Sequence, residues 1–254
     1  MNDLLIRTVS GIILAVVAVV AVIYLPVWTF KLLIAVLTGI GTWEVFHLLE
    51  KKYRNLFPVL SGMAGFISSL FLLFISPYLS LFSIFLYSFF IAHRKYSIES
   101  LTASVFGLVY PVFFISSLGF LLEENRYLLL VLFATVWAGD TFAYFVGKSF
   151  GRHKFAPKLS PKKTWEGAIG GFLGAVVCGT LVSFYLGIKD AVIPVTAAGI
   201  LMQTGDLFES FIKRQVGEKD SSHLIPGHGG ILDRIDALIF ASVVFLIFYQ
   251  IKSI

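Results

Sequence analysis

Five carboxylates stand inside otherwise apolar stretches of this chain: Glu44, Asp140, Asp206, Asp233 and Asp236, with Glu209 close to the end of its stretch. An ionisable group in such surroundings is expensive and marks a functional site by default. In Gly205-Asp206-Leu207-Phe208-Glu209-Ser210, residues Asp206, Glu209 and Ser210 fall at i, i+3 and i+4 and share one helix face. Asp233-Arg234-Ile235-Asp236 repeats the i, i+3 spacing. Two helices marked in this way can turn Asp206, Asp233 and Asp236 towards one another across the intervening loop. Hard divalent cations such as Mg²⁺ take oxygen ligands of this kind, with waters and phosphate oxygens completing the shell. The plainer alternative is that Lys213, Arg214 and Arg234 simply neutralise these acids.

The loop itself reads Lys219-Asp220-Ser221-Ser222, then Pro226-Gly227-His228-Gly229-Gly230. Glycines just ahead of a helix let backbone N–H groups approach an anion, and the helix start favours negative charge. Lys219 and the serines add donors, so the loop reads as a phosphate cradle beside a metal site. His228 suits a general acid, a hydrogen-bond donor to phosphate, or a packing residue. A second loop carries Ser160-Pro161-Lys162-Lys163-Thr164-Trp165-Glu166-Gly167. Thr164 is a candidate N-cap for the following helix. Lys162 and Lys163 just before a helix start oppose its dipole unless an anion sits between them. That suggests a second phosphate-binding arm, the alternative being lysines that only set topology.

Asp140, Tyr144 and Lys148 recur every four residues and form one polar stripe. Asp140 is either a further metal carboxylate or the partner of a loop lysine. Glu44, after Trp43, is read as a helix-terminal pairing residue. Gly147-Lys148-Ser149 resembles the end of a P-loop, but Phe142 stands where that motif needs glycine. Serine-elbow and zinc-type H-E-x-x-H signatures are absent. The single cysteine, Cys178, excludes an intramolecular disulfide and a Cys/His metal site.

The elements that position these residues follow from composition. The 254 residues are 57% hydrophobic and 14% charged, with 26 phenylalanines and a mean hydropathy of +0.88. Soluble domains have about 45–50% apolar and about 25% charged residues, so the bilayer is the expected solvent. Apolar runs at 9–25, 28–49, 56–75, 78–92, 101–122, 127–147, 166–187, 190–212 and 231–251 predict an all-α, polytopic bundle of about nine spans. The break at Ser76-Pro77 leaves open a re-entrant pair for the third and fourth. The first run lacks an A-x-A-type cleavage site and is read as a retained span. With the N-terminus inside, only Lys31, Arg126, Lys189 and Lys252 lie outside, and all other Lys and Arg lie inside. Loops 148–165 and 213–230 then face the cytoplasm. The net charge of +5 fits topology and anionic headgroups, with no need of nucleic acid. Residues 1–126 read as membrane scaffold and 127–254 as the catalytic region.

The stretch from Ser210 to Asp236 resembles the signature of phosphatidate cytidylyltransferases, the CDP-diacylglycerol synthases. It matches at Ser210, Lys213-Arg214, Lys219-Asp220, Pro226, His228-Gly229-Gly230 and Asp233-Arg234 with Asp236. Gly205-Asp206-Leu207, the 160–167 run, and Asp140 with Tyr144 and Gly147 also look like family motifs. The resemblance is specific over about 137–240, and in the first five spans it is a shared hydropathy pattern. It implies conversion of CTP and phosphatidic acid to CDP-diacylglycerol and pyrophosphate with Mg²⁺, in a bacterial inner membrane. Asp206 and Asp233 would hold the metal, with Asp236 beside them and room for a second ion. Lys213, Lys219 and His228 would complete the catalytic group. Ser160, Lys162, Lys163, Thr164, Arg214, Asp220, Ser221, Gly229, Gly230, Arg234, Asp140 and Tyr144 would contact substrate. The implied partners are CTP, phosphatidic acid and membrane lipids, with a homodimer left open. A polyprenol or phytol kinase type of CTP-using enzyme remains the alternative, and a transporter the more distant one.

Overall fold

The computed structural model describes residues 3–225 and 229–252. Among these are nine α-helices: α1 Asp3–Tyr24, α2 Val27–Glu50, α3 Pro58–Phe74, α4 Pro77–Lys95, α5 Ile98–Glu124, α6 Arg126–Phe150, α7 Trp165–Tyr185, α8 Val192–Gln215 and α9 Leu232–Lys252. A 3-10 turn, Lys189–Ala191, precedes α8. Six helices are long and apolar enough to cross a membrane: α2, α5, α6, α7, α9 and the α8 stretch with its 3-10 turn. Helix α3, at 17 residues, is shorter. In α4, Tyr78, Tyr87 and a row of serines dilute the apolar run, and His93-Arg94 end it. The described residues thus form a membrane-type helical protein with six candidate spans by length and composition.

The all-α expectation holds, with one short addition. Residues Lys154–Ala156 (β1) and Ser160–Thr164 (β2) pair antiparallel, Lys154 opposite Thr164 and Ala156 opposite Ser160. The expected break at Ser76-Pro77 is a helix–helix turn. Pro77 stands at the first helical position, and the Ser76 hydroxyl accepts the Tyr78 N–H at 3.2 Å.

The chain divides into two compact units. The first is Met1–Phe120 with Gln215–Arg234. Its α2 and α3 approach closely through small residues: a Cβ on Gly39 would lie 3.0 Å from Phe66 Cβ, and one on Gly62 3.0 Å from the Gly39 carbonyl. Hydroxyl pairs then tie the helices, Ser69 to Ser116 at 2.8 Å, Ser68 to Ser83 at 2.8 Å and Ser61 to Tyr87 at 2.8 Å. Helices surrounded by lipid gain little from burying apolar surface against each other, so close packing and such hydrogen bonds hold them.

The second unit is Leu121–Arg214 with Ile235–Ile254. One face of α7, at Gly167, Gly170, Gly171 and Gly174, lies on α6. A Cβ on Gly171 would lie 2.9 Å from both Ala143 Cβ and the Gly139 carbonyl. Gln203 of α8 donates to the Ala168 carbonyl at 2.9 Å. At Gly205 the backbone of α8 meets the Asp236 carbonyl of α9, with the Phe208 and Phe240 rings tilted against each other beside it, centroids 5.3 Å apart.

Candidate active site

In the second unit the site is built on the hairpin and α8. The Thr164 hydroxyl caps α7 by accepting the Gly167 N–H at 3.1 Å, as its position before the helix suggested. The Glu166 carboxylate, in the first turn of α7, reaches back to the Arg152 N–H at 3.1 Å, the His153 N–H at 3.3 Å and His153 Nδ1 at 2.6 Å. Phe155 packs edge-on against Trp165 at 4.5 Å. The hairpin is thereby fixed to the start of α7. Side chains alternate along β2. Lys163 is half-buried and its Nζ lies 2.5 Å from Asp206 Oδ2, whereas Lys162 is exposed. Ser160 is half-buried.

Asp206 also accepts the Ser210 hydroxyl at 3.4 Å, one turn on along α8. Asp236 is half-buried and stands in the electrostatic field of Asp206, Lys213 and Asp140. Lys213, placed in the catalytic group by the family resemblance, is only 6% exposed and pairs with Glu209 at 3.0 Å. Arg214 is exposed at the end of α8. The stripe on α6 forms as expected: Asp140, Tyr144 and Lys148 are all exposed, with the lysine 5.6 Å from the Tyr144 ring centre. The second unit therefore gathers three acids, Asp140, Asp206 and Asp236, with Lys163 and Lys213.

In the first unit Ser221, Ser222 and residues 230–232 are organised by two carboxylates. Asp233 Oδ2 accepts the Ser221 N–H at 2.8 Å, the Ser221 hydroxyl at 2.9 Å and the Gly230 N–H at 2.8 Å. Glu44 of α2, 0% exposed, accepts the Ser222 hydroxyl at 2.6 Å and the N–H groups of Ile231 at 2.9 Å and Leu232 at 2.8 Å. The Gly229 N–H goes to the Ile225 carbonyl at 3.1 Å. Among the described residues, the amides of Gly229, Gly230, Ile231 and Leu232 thus bind groups of the chain itself. Lys219 and Arg234 are exposed and Asp220 is half-buried. His228 lies outside the described residues. Sequence spacing undervalued Glu44 and gave no role to Glu166, whose partners lie 13 and 14 residues upstream.

Among the described residues no three His, Cys, Asp or Glu side chains close into a metal cage. The donors present are hard carboxylate oxygens with mutual charge repulsion, some of them exposed. That set fits Mg²⁺, which is bound through one or two carboxylates and keeps waters and substrate phosphates for the rest.

The model of the cytidylyltransferase family matches residues 5–252. Among curated relatives named phosphatidate cytidylyltransferase, that of Aquifex aeolicus is 41% identical over 163 residues, 63% of this chain and 61% of the relative. That of Haemophilus influenzae is 46% identical over 134 residues, 50% of this chain and 46% of the relative. That of Rickettsia felis is 40% identical over 167 residues, 59% of this chain and 71% of the relative. The chain thus spans less than two thirds of the Aquifex and Haemophilus proteins it matches. The family match, by contrast, runs nearly end to end, and this chain belongs to the cytidylyltransferase family.

Proposed function

We propose that this chain transfers the cytidylyl group of CTP to phosphatidic acid, giving CDP-diacylglycerol and pyrophosphate. The observation that carries the proposal is the grouping of Asp140, Asp206 and Asp236 with Lys163 and Lys213 in the second unit. Mixed acids and bases of this kind suit a polyphosphate. The relatives' names supply the two substrates.

A phosphate monoester oxygen of the lipid is anionic near neutral pH. It attacks the α-phosphorus of CTP, a new P–O bond forms, and the bond to the β-phosphate breaks as pyrophosphate leaves with the electron pair. No strong base is needed, so the residues act by placing and neutralising charge. Lys163, positioned by the hairpin, and Lys213, within α8, offset charge at the reacting phosphates. In the second unit the exposed Lys162 and Arg214, with Ser160, suit the outer phosphates; in the first, the exposed Lys219 and Arg234, with Asp220 and Ser221, are assigned to them from the sequence pattern. Asp140 and Tyr144 contribute a polar wall on α6. Asp206 and Asp236 offer oxygens to Mg²⁺, with Asp233 one turn earlier on α9 as a further ligand. Mg²⁺ bound there supplies Lewis-acid neutralisation of the phosphate charge, and a second ion is compatible with this ligand set. The distribution of Lys and Arg favours a cytoplasmic N-terminus, nine crossings and a site on the cytoplasmic face of the inner membrane. Phosphatidic acid would enter from the surrounding lipid, and a homodimer is compatible with this arrangement.

Purified protein should release pyrophosphate only when CTP, phosphatidate and Mg²⁺ are all present. Asp206→Asn and Asp233→Asn should each lose about a hundredfold or more in kcat. CDP as the nucleotide product would assign a kinase instead, and unimpaired turnover in both variants would remove their metal role.

A further inference from the structure

Glu44 lies in the middle of the packed face of α2, 178 residues from Ser222 and 188 from Leu232, yet both donate to it. Three residues earlier on the same helix, Gly41 leaves room for the start of α9. A Cβ there would lie 3.3 Å from Leu232 Cδ2 and 2.7 Å from Ile115 Cδ1. Leu232 is thus seated on α2 by its side chain and held to Glu44 by its N–H. Gly230 fits the same junction closely, since an added Cβ would collide with Ser221 Oγ and Glu44 Oε1. The Gly230 N–H and the Ser221 N–H and hydroxyl meanwhile fix Asp233 Oδ2. Glu44 therefore occupies the place at the head of α9 where an anion would be drawn by the helix start.

We infer that Glu44 is a positioning residue for the transfer reaction: it holds Ser222 and the head of α9 at Ile231 and Leu232, and through the adjoining Ser221 and Gly230 sets the aim of Asp233. This rests on the function proposed above. It also assigns the amides at the head of α9 to a carboxylate of the chain, leaving phosphate recognition in this segment to side chains such as Lys219 and Arg234.

The test is Glu44→Gln, which keeps the volume but replaces one accepting oxygen with a donor. In detergent-solubilised full-length protein, hydrogen–deuterium exchange across 221–232 should quicken by about tenfold or more, as expected when a buried donor loses its acceptor. Exchange in α6 and α7 should not change. kcat should fall by about tenfold or more, while KM for CTP stays within about threefold. Glu44→Asp, which restores the charge, should recover part of both effects. Ser222→Ala removes a single donor and should show the same local pattern in milder form, even if Glu44→Gln does not fold. Unchanged exchange in 221–232, equal quickening in every helix, or a KM effect with kcat intact would overturn the inference. The exchange arm uses neither CTP nor lipid. A wild-type protein inactive with those substrates would therefore count against the proposed reaction and not against the lock.

Discussion

Lys163 Nζ lies 2.5 Å from Asp206 Oδ2, joining strand β2 to α8 through one half-exposed ion pair. The pair places a base and an acid side by side where the proposed reaction needs both. Lys163→Met should therefore lower kcat/KM for CTP by about a hundredfold, with Lys163→Arg recovering part of it. The neighbouring Lys162, exposed on the opposite face of the strand, should give a smaller loss. Steady-state kinetics of the three variants decide the matter, and equal effects at 162 and 163 would contradict the strand assignment.

Glu166 holds the hairpin from the first turn of α7. Glu166→Ala should loosen residues 152–163 without unfolding the helices. Limited proteolysis should cut within this stretch several times faster, and KM for CTP should rise with helical content unchanged.

The α6–α7 contact should resist any added side chain. At Gly171 even a methyl group would press on Ala143 Cβ and on the Gly139 carbonyl at 2.9 Å. Backbone cannot move aside cheaply, so Gly171→Ala should destabilise by about 1–3 kcal/mol and Gly171→Leu by more. Thermal unfolding in detergent, followed by tryptophan fluorescence, measures this.

Hydroxyl pairs in the first unit should contribute modestly. A double-mutant cycle on Ser69 and Ser116, 2.8 Å apart, should give a coupling of about 0.6 kcal/mol. A value near zero would mean that each hydroxyl finds another partner as readily.

The Lys51–Glu218 pair provides the contrast. The two side chains meet at 2.6 Å but are 38% and 40% exposed. The hydrogen bond from Lys51, and then its charge, hold the Glu218 carboxyl below the usual carboxylate range. A carboxyl lowered in the folded state adds stability above its unfolded value and loses it as pH falls through the folded one. Solvent screens this pair, so Lys51→Ala should leave Tm and kcat unchanged at pH 7, and any small Tm difference should vanish in acid.

Features set by local chemistry were legible in the sequence. The helix break at Ser76-Pro77, the Thr164 cap and the α6 stripe each depend on residues within a few positions of one another. The hairpin was not legible, because three- and five-residue strands carry no hydrophobic alternation. It exists because Glu166 reaches back to Arg152 and His153. Lys213 had two readings, neutralising the nearby acids or joining the catalytic group, and Glu209 at i−4 is the acid it pairs with. Glu44 was the hardest to read. Its partners at 222, 231 and 232 are remote in sequence, and only the folded first unit brings them to it.

The crowding at Gly230 limits how this segment can evolve. Two separate side chains, Ser221 from the loop and Glu44 from a distant helix, fill the volume that the smallest substituent would need. Trimming one leaves the other in place. A side chain at 230 would push both Ser221 Oγ and Glu44 Oε1 from their places, and those atoms carry hydrogen bonds that the segment uses.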